Sequence, residues 1–283
     1  MSGARVVVST ARDPGPAQVE RAREVAAQCL LPFVPRRGPL SELLEREDVD
    51  LVYVVDRDRE TLRDTTERLS VHEGLMKLRA KVGPEHPFLR AVAPDGGVDA
   101  VLDATLGLAQ DALHLAHALE ARVTGLEASP VLACLAQAGL RRMAATGGRF
   151  ADAAARITVR RAEAGRHLAG LAPGSWPVVL LDPMFTTPLR GPPGYEVFRR
   201  CAVDAPLTPA LLAAAARVAA RRVVVKAPVG WAPPPDLAER FHRRIRGKAL
   251  DYLVVEHGAA AEDAAPAPKP YPYRQPRRRT PDG

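Results

Sequence analysis

Short apolar, β-branched runs alternate along this chain with segments whose apolar positions recur at helical spacing, the signature of strands interleaved with helices. Residues 5–9 predict a strand, 17–30 a helix after Asp13-Pro14-Gly15-Pro16, 39–46 a second helix and 51–55 a second strand. Residues 70–95 carry Gly, Pro, His and Lys in place of long periodic runs, which predicts a connection packed across a junction. Beyond it, strands are predicted at 98–103, 122–127, 156–160, 178–182 and 222–226, with helices near 109–119, 130–144, 162–168 and 209–220. Five strands separated by helices imply a doubly wound, Rossmann-like α/β sheet. Residues 241–246 and 250–256 flank a Gly247-Lys248 break and suit an antiparallel hairpin closing one edge of that sheet.

The predicted organisation is therefore a small amino-terminal α/β unit (1–69), a connecting segment (70–97), a main α/β domain (98–258) and a tail (259–283). The tail is Ala- and Pro-rich and contains Arg274, Arg277, Arg278 and Arg279. Such a composition cannot bury enough apolar surface to order itself.

Composition narrows the class. With 47% hydrophobic residues over 283 positions the chain can bury a sizeable core, and a net charge of +7 on a charged fraction of 26% favours polyanionic partners. Residues 1–10 lack the pattern of a secretory leader, and no apolar run approaches the ~20 residues that span a bilayer. A soluble cytoplasmic protein is expected. Cys29, Cys134 and Cys201 lack metal-type spacing and read as buried thiols. His114 and His117, three apart on one helix, read as helix-surface residues, and no metal site is expected. Trp176 and Trp231 flank strand ends and read as packing residues, while Tyr252 in an apolar strand reads as core. No Ser-His-Asp order, Cys-His pair or His-x-x-x-His spacing stands out.

The chemistry lies at the strand ends. Residues 98–111 read as an apolar run ending on Asp103, a small-residue turn through Gly107 and the start of a helix carrying Asp111. The next strand ends on Glu127. A nucleotide-type cofactor lying over such a sheet needs close backbone approach at the first turn and an acid at the tip of the second strand for its ribose hydroxyls. A pyrophosphate would want a fuller G-x-G-x-x-G turn, and Asp111 would repel it; acids here suit a cofactor bearing an ammonium and a sulfonium. Glu163, after the third strand, is placed to accept from an adenine amino group, or is a solvated acid at a helix start. After the fourth strand stands Asp182-Pro183-Met184-Phe185. A carboxylate and a main-chain carbonyl can hold both N–H groups of a flat exocyclic amine in line with a sulfonium, and an aromatic ring can stack on its base.

At these residues the chain resembles the class I S-adenosylmethionine methyltransferases, whose amino-methylating members carry Asp/Asn-Pro-Pro-Tyr/Phe at this point. More narrowly, residues 103–112, 125–130, Leu181-Asp-Pro-Met-Phe185 and Val223-Val-Val-Lys226 resemble the RsmJ family of ribosomal small-subunit RNA guanine-N2 methyltransferases, over about residues 70–258. The resemblance implies a seven-stranded sheet, S-adenosylmethionine as donor and a guanine of 16S ribosomal RNA in the small subunit as acceptor. Carried over by position, Asp103, Thr105, Gly107 and Asp111 would line the methionine side, Glu127 and Ala128 the ribose and Glu163 the adenine. Asp182, Pro183, Met184 and Phe185 would meet the target base. Lys226 would meet RNA phosphate or pair with Asp182. Lys77, Arg79 and Lys81 offer an RNA contact or a solvated basic face, Arg79 being the candidate of the three. Ala109 stands where the family often has glycine. Other readings are a methyltransferase for another planar amine, such as adenine N6 or a protein amide, and a non-catalytic RNA-binding protein of the same fold. A nicotinamide oxidoreductase is disfavoured by the incomplete glycine turn.

Overall fold

The computed structural model describes residues 4–185 and 193–257. Every residue of β1 (Val6–Thr10) and β2 (Leu51–Val55) is buried, the pattern of parallel strands covered on both faces. They pair in parallel, flanked by α1 (Pro16–Cys29) and α2 (Leu40–Arg46). Two strands that periodicity did not reveal extend the sheet in antiparallel fashion, β3 (Glu60–Arg63) beside β2 and β4 (Arg68–Leu69) beside β3. They are too short, and too interrupted by charge, to show in the pattern.

The connection also differs from expectation. It holds α3 (Gly74–Arg79), a 3₁₀ turn and α4 (Pro87–Val92), and α4 buries Phe88, Leu89, Ala91 and Val92. Four apolar side chains in one and a half turns are core, although the helix is too short for its period to be read.

The larger sheet contains β5 (Ala100–Asp103), β6 (Arg122–Glu127), β7 (Ile157–Arg161), β8 (Trp176–Leu181), β9 (Ala219–Pro228), β10 (Arg243–Arg246) and β11 (Leu250–Glu256). Its order is β10-β11-β9-β8-β5-β6-β7. The first five strands of this sheet in chain order, β5 to β9, run parallel, and β11 enters antiparallel between β9 and β10. This is the doubly wound sheet the alternation predicted, closed by the predicted hairpin. Helices α5 (Gln110–Ala118), α6 (Pro130–Ala145), α7 (Ala151–Ala155), α8 (Ala164–Ala169), α9 (Tyr195–Cys201), α10 (Pro209–Val218) and α11 (Pro235–Ala238) complete the described elements. Strand residues alternate between two apolar layers: Val101, Val178 and Leu180 enter one, Leu102, Val179 and Leu181 the other.

A third cluster binds the two sheets. Val8, Leu51, Tyr53 and Leu62 of the small sheet pack with Val131, Leu132 and Leu135 of α6 and Val197 of α9. Here Cys29 and Cys134, distant in sequence, bring their sulfurs within 3.2 Å as free thiols. Gly139 of α6 lies so close to Val71 that an added Cβ would come within 2.3 Å of it.

The expectation for His114 is corrected as well. His114 is 1% exposed, not on the helix surface, because residues 86–88 cover that side of α5; its ring lies 4.7 Å from His86 and 5.7 Å from Phe88. Burial in this cationic neighbourhood pushes its pKa down to about 3, so it is neutral. Tyr252 is core, stacked on Phe88 at 5.5 Å. No helix of the described residues is long and apolar enough to cross a membrane. The tail expected over 259–283 lies outside the described residues.

Candidate active site

Between β5 and β8 the winding of the chain reverses, and at such a switch point the loops leaving the strands part to form a crevice. The loop after β5 stays tied to both neighbours: Ala104 N–H donates to the Leu180 carbonyl and Leu106 N–H to that of Leu126. Gly125 makes this approach possible, since a Cβ there would sit 2.3 Å from Leu106. Gly107 follows with φ +54°, and a Cβ on it would meet the Phe198 ring at 3.3 Å. Ala109 then takes a left-handed backbone, φ 60°, at the N-cap of α5. Alanine thus adopts the conformation that a glycine reaches without strain.

One cleft collects the strand ends. It is lined by Thr105 and Gly107 after β5, Glu127 and Ala128 after β6, Glu163 after β7, and Asp182, Pro183 and Met184 after β8. Sequence reasoning missed its remaining wall, Phe198 of α9 with Ala202, Val203 and Ala205. The aromatic pair Tyr195 and Phe198, three apart and stacked, was the signal available. Asp103, Asp111, Phe185, Lys226 and Arg79 are not among the lining residues.

Glu127 is held by backbone amides: Gly107 N–H donates to its Oε2 at 2.9 Å and Ser129 N–H to its Oε1 at 2.7 Å. Burial raises its pKa, opposed by those bonds. Ser129 also caps α6, its Oγ accepting from Leu132 N–H ahead of Pro130. Glu163 lines the cleft and simultaneously caps α8, accepting from the amides of Gly165 and Arg166 at 2.8 and 2.7 Å. Asp182 N–H donates to Thr105 Oγ1 at 2.6 Å, which locks the loop after β8 onto the loop after β5.

Behind the cleft lies a chain of alternating charges. Lys226, on β9, donates from its buried Nζ to both Asp111 and Asp182, and Arg79 donates to the other oxygen of Asp111 at 2.5 Å. Of the two partners the sequence left open for Lys226, the carboxylate is the one it has. Arg79 is turned into the fold with its side chain 13% exposed, away from any RNA contact at the mouth; Lys77 pairs with Glu73. Asp111 has both oxygens occupied. Burial alone would disfavour its ionised form, but Lys226 and Arg79 outweigh that and hold it below the usual carboxylate range. Asp182, at the rim with its side chain 39% exposed, is raised by desolvation, which Lys226 opposes. Desolvation works against the charge on Lys226, yet its two carboxylates prevail and keep it a cation. Asp103 is 2% exposed and, among the described residues, accepts from Thr105 N–H alone; burial first, then Asp111, push its pKa up to about 8.

Phe185 does not line the cleft but packs half-buried against the second apolar layer, its ring 5.0 Å from that of Trp231 in an edge-to-face pair. Among the described residues no group of three or more His, Cys, Asp or Glu is arranged to hold a metal ion.

A turn tied to an amide-held glutamate, with an acid and a proline at the neighbouring strand end, defines a nucleotide-cofactor enzyme of the methyl-transferring kind, and comparison with known proteins agrees. The sequence model described as "Putative SAM-dependent methyltransferase" matches residues 42–249. Ribosomal RNA small subunit methyltransferase J of Thioalkalivibrio sulfidiphilus is 35% identical over 250 residues, covering 84% of this chain and 94% of that protein. The protein of the same name from Halorhodospira halophila is 41% identical over 166 residues, covering 56% of this chain and 59% of its own length. A SAM-dependent methyltransferase from Neisseria gonorrhoeae shares the fold, with a TM-score of 0.63 at 23% identity over 89% of this chain and 97% of that one. The chain belongs to the S-adenosylmethionine-dependent methyltransferases, in the family of ribosomal RNA small subunit methyltransferase J.

Proposed function

We propose that this enzyme methylates the exocyclic N2 amine of a guanine in small-subunit ribosomal RNA, acting in the cytoplasm on 16S RNA or on the subunit that contains it. The observation that carries the reading is that Glu127 and Asp182 face one cleft across the end of β5. The residues present fit the cofactor: the left-handed, Cβ-free Gly107 leaves room beside Phe198, and Glu127 offers carboxylate lone pairs beyond its two amide bonds. S-adenosylmethionine, when bound, supplies an electrophilic methyl group on a sulfonium. In this reading Glu127 and Ala128 hold the ribose and Glu163 borders the adenine. Thr105 and Gly107 border the methionine end, with Asp103 and Asp111 behind them.

The Asp182 carboxylate and the Pro183 carbonyl accept the two N–H bonds of the target amine. This aims the nitrogen lone pair, which conjugation with the base otherwise weakens as a nucleophile. Asp182 is also placed to take the proton that the nitrogen sheds as its new bond forms, a role suited to a raised pKa. Lys226 orients Asp182, and Arg79 steadies Lys226 through Asp111. Met184, which lines the cleft, borders the base, and Phe185 stands behind it against Trp231. The substrate class rests on the names of the relatives and on the chain's +7 charge.

The test is incubation with labelled S-adenosylmethionine and small subunits from a strain lacking the protein, followed by mass-spectrometric mapping of the label. Label on guanine N2 is expected, and label on adenine or on a protein amide overturns the base assignment. Asp182→Ala should lower turnover by about 100-fold or more while calorimetric cofactor affinity stays within about threefold. Undiminished turnover would remove Asp182 from the mechanism.

A further inference from the structure

Resting on the base-methylating reading above, we propose that the β10–β11 hairpin is the surface that grips the RNA backbone beside the target base, through Arg246 and Lys248. Residues 240–248 contain five cations, Arg240, Arg243, Arg244, Arg246 and Lys248, and no acid. Two are already neutralised in the fold: Arg243 pairs with Glu256 at 3.3 Å and Arg244 with the buried Asp251 at 3.1 Å. Arg240, which donates to the Asp236 carbonyl, Arg246 and Lys248 are exposed and, among the described residues, have no carboxylate partner; of these three, Arg246 and Lys248 flank the hairpin turn.

The register places this pair at the working end of the sheet. Leu250 pairs with Pro228, the last residue of β9, and Arg246 pairs with Asp251. The turn between the hairpin strands therefore projects past the carboxyl end of β9, the same end at which β8 releases Asp182. Three strand spacings, about 14 Å, separate β10 from β8, a distance a few nucleotides of backbone can bridge.

The hairpin is also joined to the loop that faces Phe185. Arg244 donates to the Trp231 carbonyl at 2.7 Å, Gly230 N–H donates to Asp251 at 3.1 Å, and the Trp231 ring meets that of Phe185. Strand alternation puts Arg246 on the same face of β10 as Arg244, the face that carries Trp231. Charge on an edge strand also guards against strand-to-strand aggregation. That role does not require the free cations to gather at the rim beside the Asp182 loop, whereas phosphate recognition does.

The experiment uses the full chain with both Arg246→Gln and Lys248→Gln, titrated with a small-subunit RNA fragment at several salt concentrations. Affinity is expected to fall about tenfold or more near physiological salt. The slope of log affinity against log salt should shrink by roughly 1.4–1.8, the counterion release of two phosphate contacts. The KM for RNA should rise with kcat and cofactor affinity retained. Replacing the exposed Arg57 and Arg59 by Gln, on the small sheet, is the control for bulk charge and should leave the slope unchanged. A double variant with wild-type affinity, slope and KM overturns the hairpin assignment, as does an equal loss in the control pair. If the wild-type chain itself puts no label on RNA, the methylation reading fails instead, so the two failures are distinguishable.

Discussion

Asp103 carries the clearest consequence of burial on a single side chain. Its carboxyl keeps its proton in the folded protein up to about pH 8, whereas an unfolded chain releases it near 3.9. Between those values the native state binds more protons than the unfolded one, so stability falls as pH rises. The contribution is fully present below about pH 4 and gone above about pH 8. Asp103→Asn removes it: between pH 5 and 8 the wild-type Tm should drop by at least roughly 3 °C more than that of the variant, read by differential scanning calorimetry. Parallel curves would show that Asp103 is ionised at neutral pH. At this same scale the sequence supplied most of the candidate residues and, for Lys226, the partner Asp182, but not the further links from Lys226 to Asp111 and from Asp111 to Arg79. Lys226 was recognisable by its place at a strand end, yet its attachment to Asp111 as well as Asp182 spans 115 and 44 residues of chain.

The strand–turn–helix unit of β5 and α5 is the element on which the cleft depends. Its turn runs through two left-handed residues, Gly107 and the fully buried Ala109. Ala109→Gly relieves backbone strain while losing a buried methyl group and loosening the unfolded chain, so stability should change by less than about 1 kcal/mol. A β-branched side chain tolerates φ > 0 poorly and also overfills the site, so Ala109→Val should cost more than about 2 kcal/mol. Denaturant titration of both variants checks this. Equal stability of the valine variant would mean that the turn is not held left-handed. Long elements such as α6 and β6 were legible to within a residue or so because their periods repeat several times. Short ones, α3, α4, α7, α9 and α11, contribute a turn or two each, too little for a period to emerge.

Across the whole molecule, α6 serves two cores at once. It covers the large sheet through Ala136, Leu140 and Met143 and completes the core of the small sheet through Val131, Leu132 and Leu135. Polar ties add to this: Arg200 pairs with Asp64 at 2.9 Å, Arg161 donates to the Gln28 carbonyl and Arg142 to that of Val71. Because α6 is shared between the two cores, neither half keeps its packing when the other opens. Thermal unfolding should therefore give one calorimetric transition, and two resolved transitions would show that the amino-terminal unit folds independently.

What the sequence determined by itself was the alternation of elements, the order of the strands in the chain and the residues at their ends: Asp103, Gly107, Glu127 and the Asp182-Pro-Met-Phe185 run. Those features are local, written in hydrophobic period and turn residues. Tertiary structure alone decided that Phe198 walls the cleft and that Phe185 turns toward Trp231. It also decided that Arg79 faces inward to Asp111 and that His114 is sealed beneath His86 and Phe88. Each of these depends on which distant segments come to lie side by side, and the periodicity of one segment holds no information about its neighbour.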